Sequence, residues 1–364
     1  MTVKDITDLL EELAPLGHAE DFDNVGLLVG DPQAKVNGVL VTLDTLENVV
    51  DEAISTNCNL IVSFHPIIFG GLKKLTGRDY VGRTVIKAIQ NGIAIYSMHT
   101  ALDNIQEGVN AKICEVLGIM HPQILIPKKD SIEKLVTYVP KKDAEALRTA
   151  LFKAGAGAIG KYSDCSFSVT GTGSFKAGAG ANPVKGEIGK LHYEEEVQLN
   201  LVYSKLNRSR IVKDLLKNHP YEEVAYEIVS LQNTNQHIGM GMVGELYESI
   251  EEKEFLEQVK QKMNVSVVRH SALLGKKVNK IAVLGGSGAF AIEAAKASGA
   301  QIFITADIKY HEFYKAENKL VIADIGHYET EQFTKNLLVD YLTKKIPNFA
   351  IRLAESKTNP IQYL

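Results

Sequence analysis

Two histidines and two acids, widely separated along the chain, share one kind of setting: His65, Asp103, His327 and Glu331. His65 follows the apolar, β-branched run 59–64, which predicts a short strand covered on both faces. Pro66 has no N–H and a fixed φ, so it ends that strand and holds the residue before it extended. His327 and Glu331 are spaced i, i+4 where a helix is predicted to begin, which puts them on one face a turn apart. Asp103 closes the run His-Thr-Ala-Leu-Asp-Asn at 99–104, just past a predicted strand at 93–97. Imidazole and carboxylate without thiolate suit Zn, Fe, Mn or Ni. Bridging carboxylates are the usual means of holding two cations close together. Cys58, Cys114 and Cys165 are isolated and odd in number, so they form neither a disulfide framework nor a thiolate metal site.

The elements that must position these residues follow from periodicity. Residues 38–44, 46–56 and 59–64 read as strand, helix and strand, a β-α-β unit with parallel strands and a right-handed crossover. Helix 79–91 and strand 93–97 extend it. Pattern and composition change after Pro127. Strand 135–139, helix 143–154, strands 166–175 and 195–203, helix 208–218 and strand 224–230 give the order of a ferredoxin-like domain. From Gly239 the first pattern resumes, with strands at 280–284, 301–306, 320–325 and 349–353 and helices at 251–263, 289–298, 311–317 and 328–345. The predicted fold class is therefore α/β. Two similar half-domains with parallel-rich sheets, 1–130 and 233–364, face one cleft, and a ferredoxin-like (α+β) insert at 131–232 interrupts them. Ligands bind at the carboxyl ends of such strands. The first half delivers His65 and Asp103 there, the second Asp307 and His327.

Bulk properties narrow the function classes. The 364 residues carry a net charge of −4 and 45% hydrophobic residues, ordinary for a globular protein. No basic run signals nucleic acid, no signal pattern stands at the start, and no apolar stretch is long enough for a membrane span. The expected compartment is the cytoplasm and the expected partner a small-molecule substrate.

The motifs His-Pro-Ile-Ile-Phe at 65–69, His-Thr-Ala-Leu-Asp-Asn at 99–104, Val-Leu-Gly-Gly-Ser-Gly at 283–288 and Gly-His-Tyr-Glu-Thr-Glu at 326–331 resemble the GTP cyclohydrolase I type 2 family, also called the Ngg-interacting-factor-like dinuclear metal-centre family. The insert, with His-Pro-Tyr-Glu-Glu-Val-Ala-Tyr at 219–226, is similar to the PII/CutA-like domain of the longer members. The resemblance implies two divalent metal ions per subunit on His65, Asp103, His327 and Glu331, with Asp103 or Glu331 bridging. It also implies a toroidal homohexamer and a metal-dependent hydrolase acting on a nucleotide or related phosphorylated substrate. The family pattern carries two histidines before the proline, whereas the first of those positions here is Phe64. One metal is thus expected to bind weakly. His99 and His311 are candidate substitutes or proton donors, and Thr100 and Asp307 candidate pocket residues.

Two rival functions stand beside this one. Gly286-Ser287-Gly288-Ala289-Phe290-Ala291 fits G-x-G-x-x-A between a strand and a helix, with Asp307 about 20 residues on, as in NAD-binding oxidoreductases. The preferred reading of Gly285, Gly286, Ser287 and Gly288 is a turn whose free N–H groups receive a substrate phosphate. The other rival is a non-catalytic metal-binding regulator or scaffold. His219, Glu222 and Glu223, and the glycine-rich stretches 155–160 and 171–180, are read as structural parts of the insert.

Overall fold

The computed structural model describes residues 1–160 and 162–364. Chain contacts divide it into two units: Met1–Pro127 with Gln236–Leu364, and Lys128–Asn235.

The first unit holds two sheets. In the first sheet the strand order is Gly26–Val29, Ala94–Ser97, Leu60–Ser63, Val39–Thr42, Ile351–Leu353. The last four run parallel, and Gly26–Val29 pairs antiparallel at the edge. The side chains of Val39–Thr42, Leu60–Ser63 and Ala94–Ser97 are buried throughout, which is why these strands read as unbroken apolar runs. The second sheet runs Arg269–His270, Val321–Asp324, Ile302–Ala306, Lys277–Ser287, Asn235–Glu251, Met120–Lys128. Its three middle members, Val321–Asp324, Ile302–Ala306 and Lys277–Ser287, are parallel. One apolar cluster links the two sheets: Val41, Leu60 and Val62 from the first, Val283, Ile302 and Ile304 from the second, and Ile113, Leu338 and Leu342 from helices between. The mixed α/β class is that expected from the sequence.

Several elements differ from the periodicity reading. Met120–Lys128 is a strand, although it carries Pro122 and Pro127. Proline is tolerated there because the strand lies at the sheet's edge, where a missing N–H breaks no ladder. Ile351–Leu353 pairs with Val39–Thr42 and so belongs to the first sheet, not to the second half. The helix predicted at 328–345 is two helices, His327–Glu331 and Thr334–Lys345. Thr2 caps the helix Val3–Leu13, forming a capping box with Asp5.

The second unit has the order strand Ile132–Pro140, helix Ala144–Lys153, strands Ser166–Lys176 and Leu191–Ser204, helix Arg208–Asn218 and strand Tyr226–Ser230. Its four strands lie in the order Ser166–Lys176, Leu191–Ser204, Ile132–Pro140, Tyr226–Ser230, and every neighbouring pair is antiparallel. Its core packs Leu135, Val139, Leu199 and Leu201 of the sheet against Leu147, Leu151, Ile211 and Leu215 of the two helices.

Candidate metal centre

Three parallel strands of the first unit each hand a histidine to one cavity of about 410 Å³. His65 stands two residues past Leu60–Ser63, His99 two past Ala94–Ser97, and His327 three past Val321–Asp324. The donor atoms of His65, His327 and Glu331 all lie within 4.8 Å of one another. Glu331 Oε2 is 3.1 Å from His65 Nε2 and 3.3 Å from His327 Nε2. Despite those distances it accepts no well-directed hydrogen bond among the described residues. Asp103 lines the same cavity but stands outside that close group of three, and its Oδ1 is buried without a partner. A buried carboxylate oxygen left unpaired costs free energy, so two of them at one site ask for an electropositive occupant.

The imidazoles are aimed by carboxylates at their other nitrogen. His65 Nδ1 is 2.8 Å from Asp44 Oδ1, His327 Nδ1 is 2.7 Å from Asp307 Oδ2, and His99 Nδ1 is 2.7 Å from Asp23 Oδ1. A carboxylate on Nδ1 fixes the ring and leaves Nε2 as the lone-pair donor, the usual outer support of a metal-ligating histidine. Asp23 also accepts from the Thr100 hydroxyl at 2.5 Å and the Thr100 N–H at 3.0 Å. Asp307 and His99 have φ of +57° and +30°, a left-handed backbone that these side-chain bonds hold in place.

Electrostatics follow from this crowding. Burial opposes charge on His65, yet Asp44 and Glu331 overcome it and raise its pKa to about 10. His327 is likewise held up at about 9, against burial, by Glu331 and Asp307. Burial pushes the Glu331 carboxyl up, but the two imidazoles outweigh it and bring it down to about 2. Burial and the charge of Glu331 together push the Asp103 carboxyl well above the ordinary range.

Gly286 is what leaves room for Glu331 beside His327. It sits at φ +68°, and a Cβ there would lie 2.5 Å from Glu331 Oε1. Its N–H donates to Thr330 Oγ1, that of Gly285 to Asn110 Oδ1, and that of Gly288 to the Ala306 carbonyl. Three N–H groups of the expected phosphate-receiving turn are therefore already used inside the protein, and a regular helix begins only at Ile292. The glycines at 285–288 make room for Glu331 and His327; they do not present a free anion nest. Gly285, Gly286 and Ser287 still line the cavity, whereas Gly288 does not. Asp307 accepts from Ser287 and braces His327, so its carboxylate is committed away from the ribose-binding role of a dinucleotide site.

His311 is not brought to the cavity. It lies in the short 3₁₀ helix Tyr310–Ala316, with its ring 5.1 Å from that of Tyr310. Phe64 is fully buried, 5.0 Å from the His65 ring and 5.6 Å from that of His99, and offers no donor atom. Asp44 and Asp23 escape the sequence reading as site residues, although Asp44 stands at the carboxyl edge where His65 was sought. Glu329 is buried and accepts from Asn359. Phe22, Phe69 and Phe290 line the cavity while remaining more than half exposed, a mouth that only contacts distant in sequence could disclose.

Fold and site together define an α/β protein with histidines and carboxylates converging from two parallel-rich sheets. The chain belongs to the Duf34/NIF3 (NGG1p interacting factor 3) family, whose profile matches residues 1–360. It is 38% identical over 369 residues to a GTP cyclohydrolase 1 type 2 homolog of Bacillus subtilis, spanning 99% of this chain and 98% of that one. A protein of the same description from Staphylococcus aureus is 33% identical over 368 residues, with both chains covered in full. Among solved structures, a Bacillus cereus protein related to NIF3 matches with a TM-score of 0.84 and 36% identity over 100% of this chain and 99% of that one. No helix among the described residues is long and apolar enough to cross a membrane.

Proposed function

We propose that this protein is a divalent-metal-dependent hydrolase acting on a planar heterocyclic substrate such as a nucleotide base, as the name shared by its relatives suggests. The reading rests on one observation: two imidazole Nε2 atoms converge on a buried Glu331 oxygen that has no hydrogen-bond partner among the described residues. His65, His327 and Glu331 would hold a cation from the Zn, Fe, Mn or Ni group. Asp103 would complete or bridge to a second position, which Phe64 leaves short of a nitrogen donor. A cation in such a site acts as a Lewis acid and lowers the pKa of bound water to about 7. The chain's own residues do the rest. Asp44 and Asp307 fix the imidazole tautomers. His99, held by Asp23, turns its ring to the cavity and serves as the proton donor to the leaving group. Phe22, Phe69 and Phe290 offer aromatic faces to a flat ring, and no lysine or arginine is among the described residues lining the cavity. The substrate is thus gripped by its heterocycle, not by side-chain contacts to phosphate. A toroidal homohexamer in the cytoplasm belongs to the same reading.

Elemental analysis of the purified protein, followed by turnover of the metal-loaded form on GTP and a panel of heterocycles and phosphoesters, tests it. Bound divalent metal and turnover that vanishes in Glu331→Gln are expected. Two full metal equivalents retained by His65→Ala would overturn the ligand assignment. Metal without turnover on any compound would favour the non-catalytic scaffold. The nicotinamide fluorescence of NADH should not change when the protein is added to it.

A further inference from the structure

The second unit contains a cavity of about 600 Å³, larger than the one at the histidines. It opens on the sheet face turned away from the two helices. Strand alternation decides which side chains reach it. Leu199 and Leu201 point to the helices, and Gln198 and Glu196 point the other way. On the neighbouring strand Val169 is paired with Gln198, Gly171 with Glu196 and Gly173 with Glu194, so these three share the cavity face. Glycine in a strand interior weakens it and marks close approach by something else. Neither Gly171 nor Gly173 has a positive φ, so neither is demanded by backbone conformation. A Cβ at 171 would meet nothing within 4 Å; one at 173 would collide with the Glu196 carboxylate. One glycine thus leaves space empty, and the other lets Glu196 lie across the strand.

The walls have a definite chemistry. Tyr138, Phe175 and Tyr221 supply aromatic surface. Tyr221 donates its hydroxyl to Glu196 at 2.7 Å, fixing that carboxylate. The Asn182 N–H donates to Glu222 at 3.0 Å and clips the segment after Lys176 beside the opening. Glu196, Glu222 and Glu223 line the cavity. The lysine among its described lining residues, Lys185, is neutralised by Glu194 at 3.4 Å. Volume, aromatic lining and a few fixed polar groups are the attributes of a small-molecule site.

We propose that this cavity binds a small aromatic cation, its flat body against Phe175 and the tyrosines and its protonated amine or amidine at Glu196. This site shares no lining residue with the histidine cavity and does not depend on the hydrolase reading.

Benzamidine, a flat ring with a fixed positive charge, is the probe, titrated calorimetrically into the full-length protein. Benzamide (neutral) and benzoate (anionic) have the same outline. Benzamidine is expected to bind saturably, at least about tenfold tighter than benzamide, with no binding of benzoate. Glu196→Gln should weaken it by about tenfold with an unchanged melting temperature. Gly171→Val has room for its side chain and suits a strand, so it should fold normally yet occupy the space directly beside Glu196 and abolish binding. No binding of benzamidine, equal binding of the three probes, or binding that survives Gly171→Val would overturn the proposal. So would a changed sedimentation coefficient in Gly171→Val, which would assign the face to contact between copies of the chain.

Discussion

The two halves of the histidine cavity use the same device at different depths. In the first half His65 and its partner Asp44 have side chains 22% and 28% exposed; in the second, His327 and Asp307 are 39% and 48% exposed. Both rings meet at Glu331, which the second half supplies from the helix His327–Glu331. The first half contributes the deeper nitrogen, and the second the more exposed one. Attraction between charges weakens with solvent exposure, so the first pair should control retention of a cation and the second its exchange.

The largest effect should come from breaking the point the halves share. Glu331→Ala should lower metal affinity by more than about a hundredfold, beyond the range for outer-shell changes. His65→Ala should cost more than His327→Ala, measured by competition with a fluorescent chelator. If His327→Ala proves the more damaging, the ranking by depth is wrong.

Next come the bracing acids. Asp44→Asn and Asp307→Asn should each reduce metal affinity within roughly the 10- to 100-fold range, Asp44→Asn nearer the top of it. Equal losses would mean that burial does not grade the two pairs.

The halves should also separate by pH. The raised imidazole pKa values stabilise the metal-free fold fully below the ordinary value of 6.5, and that contribution is lost as pH rises. It fades first through about 9 for His327 and then through about 10 for His65. Glu331, lowered to about 2 from 4.5, contributes above 4.5 and loses its contribution as pH falls through about 2. A metal requires neutral rings, so protons compete with it. The gap in melting temperature between metal-loaded and chelated protein should therefore widen from about pH 6 to about pH 9. A gap that narrows over that range contradicts the ligand set.

The smallest effect concerns the mouth. Phe69 lies beside Phe22 at a ring distance of 6.3 Å, and Phe290 lines the same cavity. Phe290→Ala and Phe69→Ala should each raise the KM for a heterocyclic substrate roughly threefold to tenfold, the range of one aromatic contact, without changing stability.

What could be read from the sequence tracks how local its cause is. The buried parallel strands announce themselves as apolar runs, and His65, His99 and His327 each follow one within two or three positions. His65, Asp103, His327 and Glu331 were therefore legible as residues near strand ends, and the structure places all four on one cavity. The spacing of His327 and Glu331 needs only one helical turn. Asp44, Asp23 and Thr330 were not legible as site residues, because their roles depend on partners 21, 76 and 44 positions away. The motif at 285–288 misled because glycine is silent about its reason. Room for Glu331 and a phosphate nest call for the same residue, and only the N–H acceptors separate them. The long strand Asn235–Glu251 escaped because its glycines and exposed polar residues lack a clean alternation.

The pairing of Ile351–Leu353 with Val39–Thr42 laces the tail of the polypeptide to its beginning. A chain cut short before residue 350 would leave the ladder of Val39–Thr42 uncapped on that side. Its neighbours along the fully buried strands are already paired, so the bared amides would seek a strand from another molecule. Premature termination would then yield an adhesive product rather than merely a smaller one.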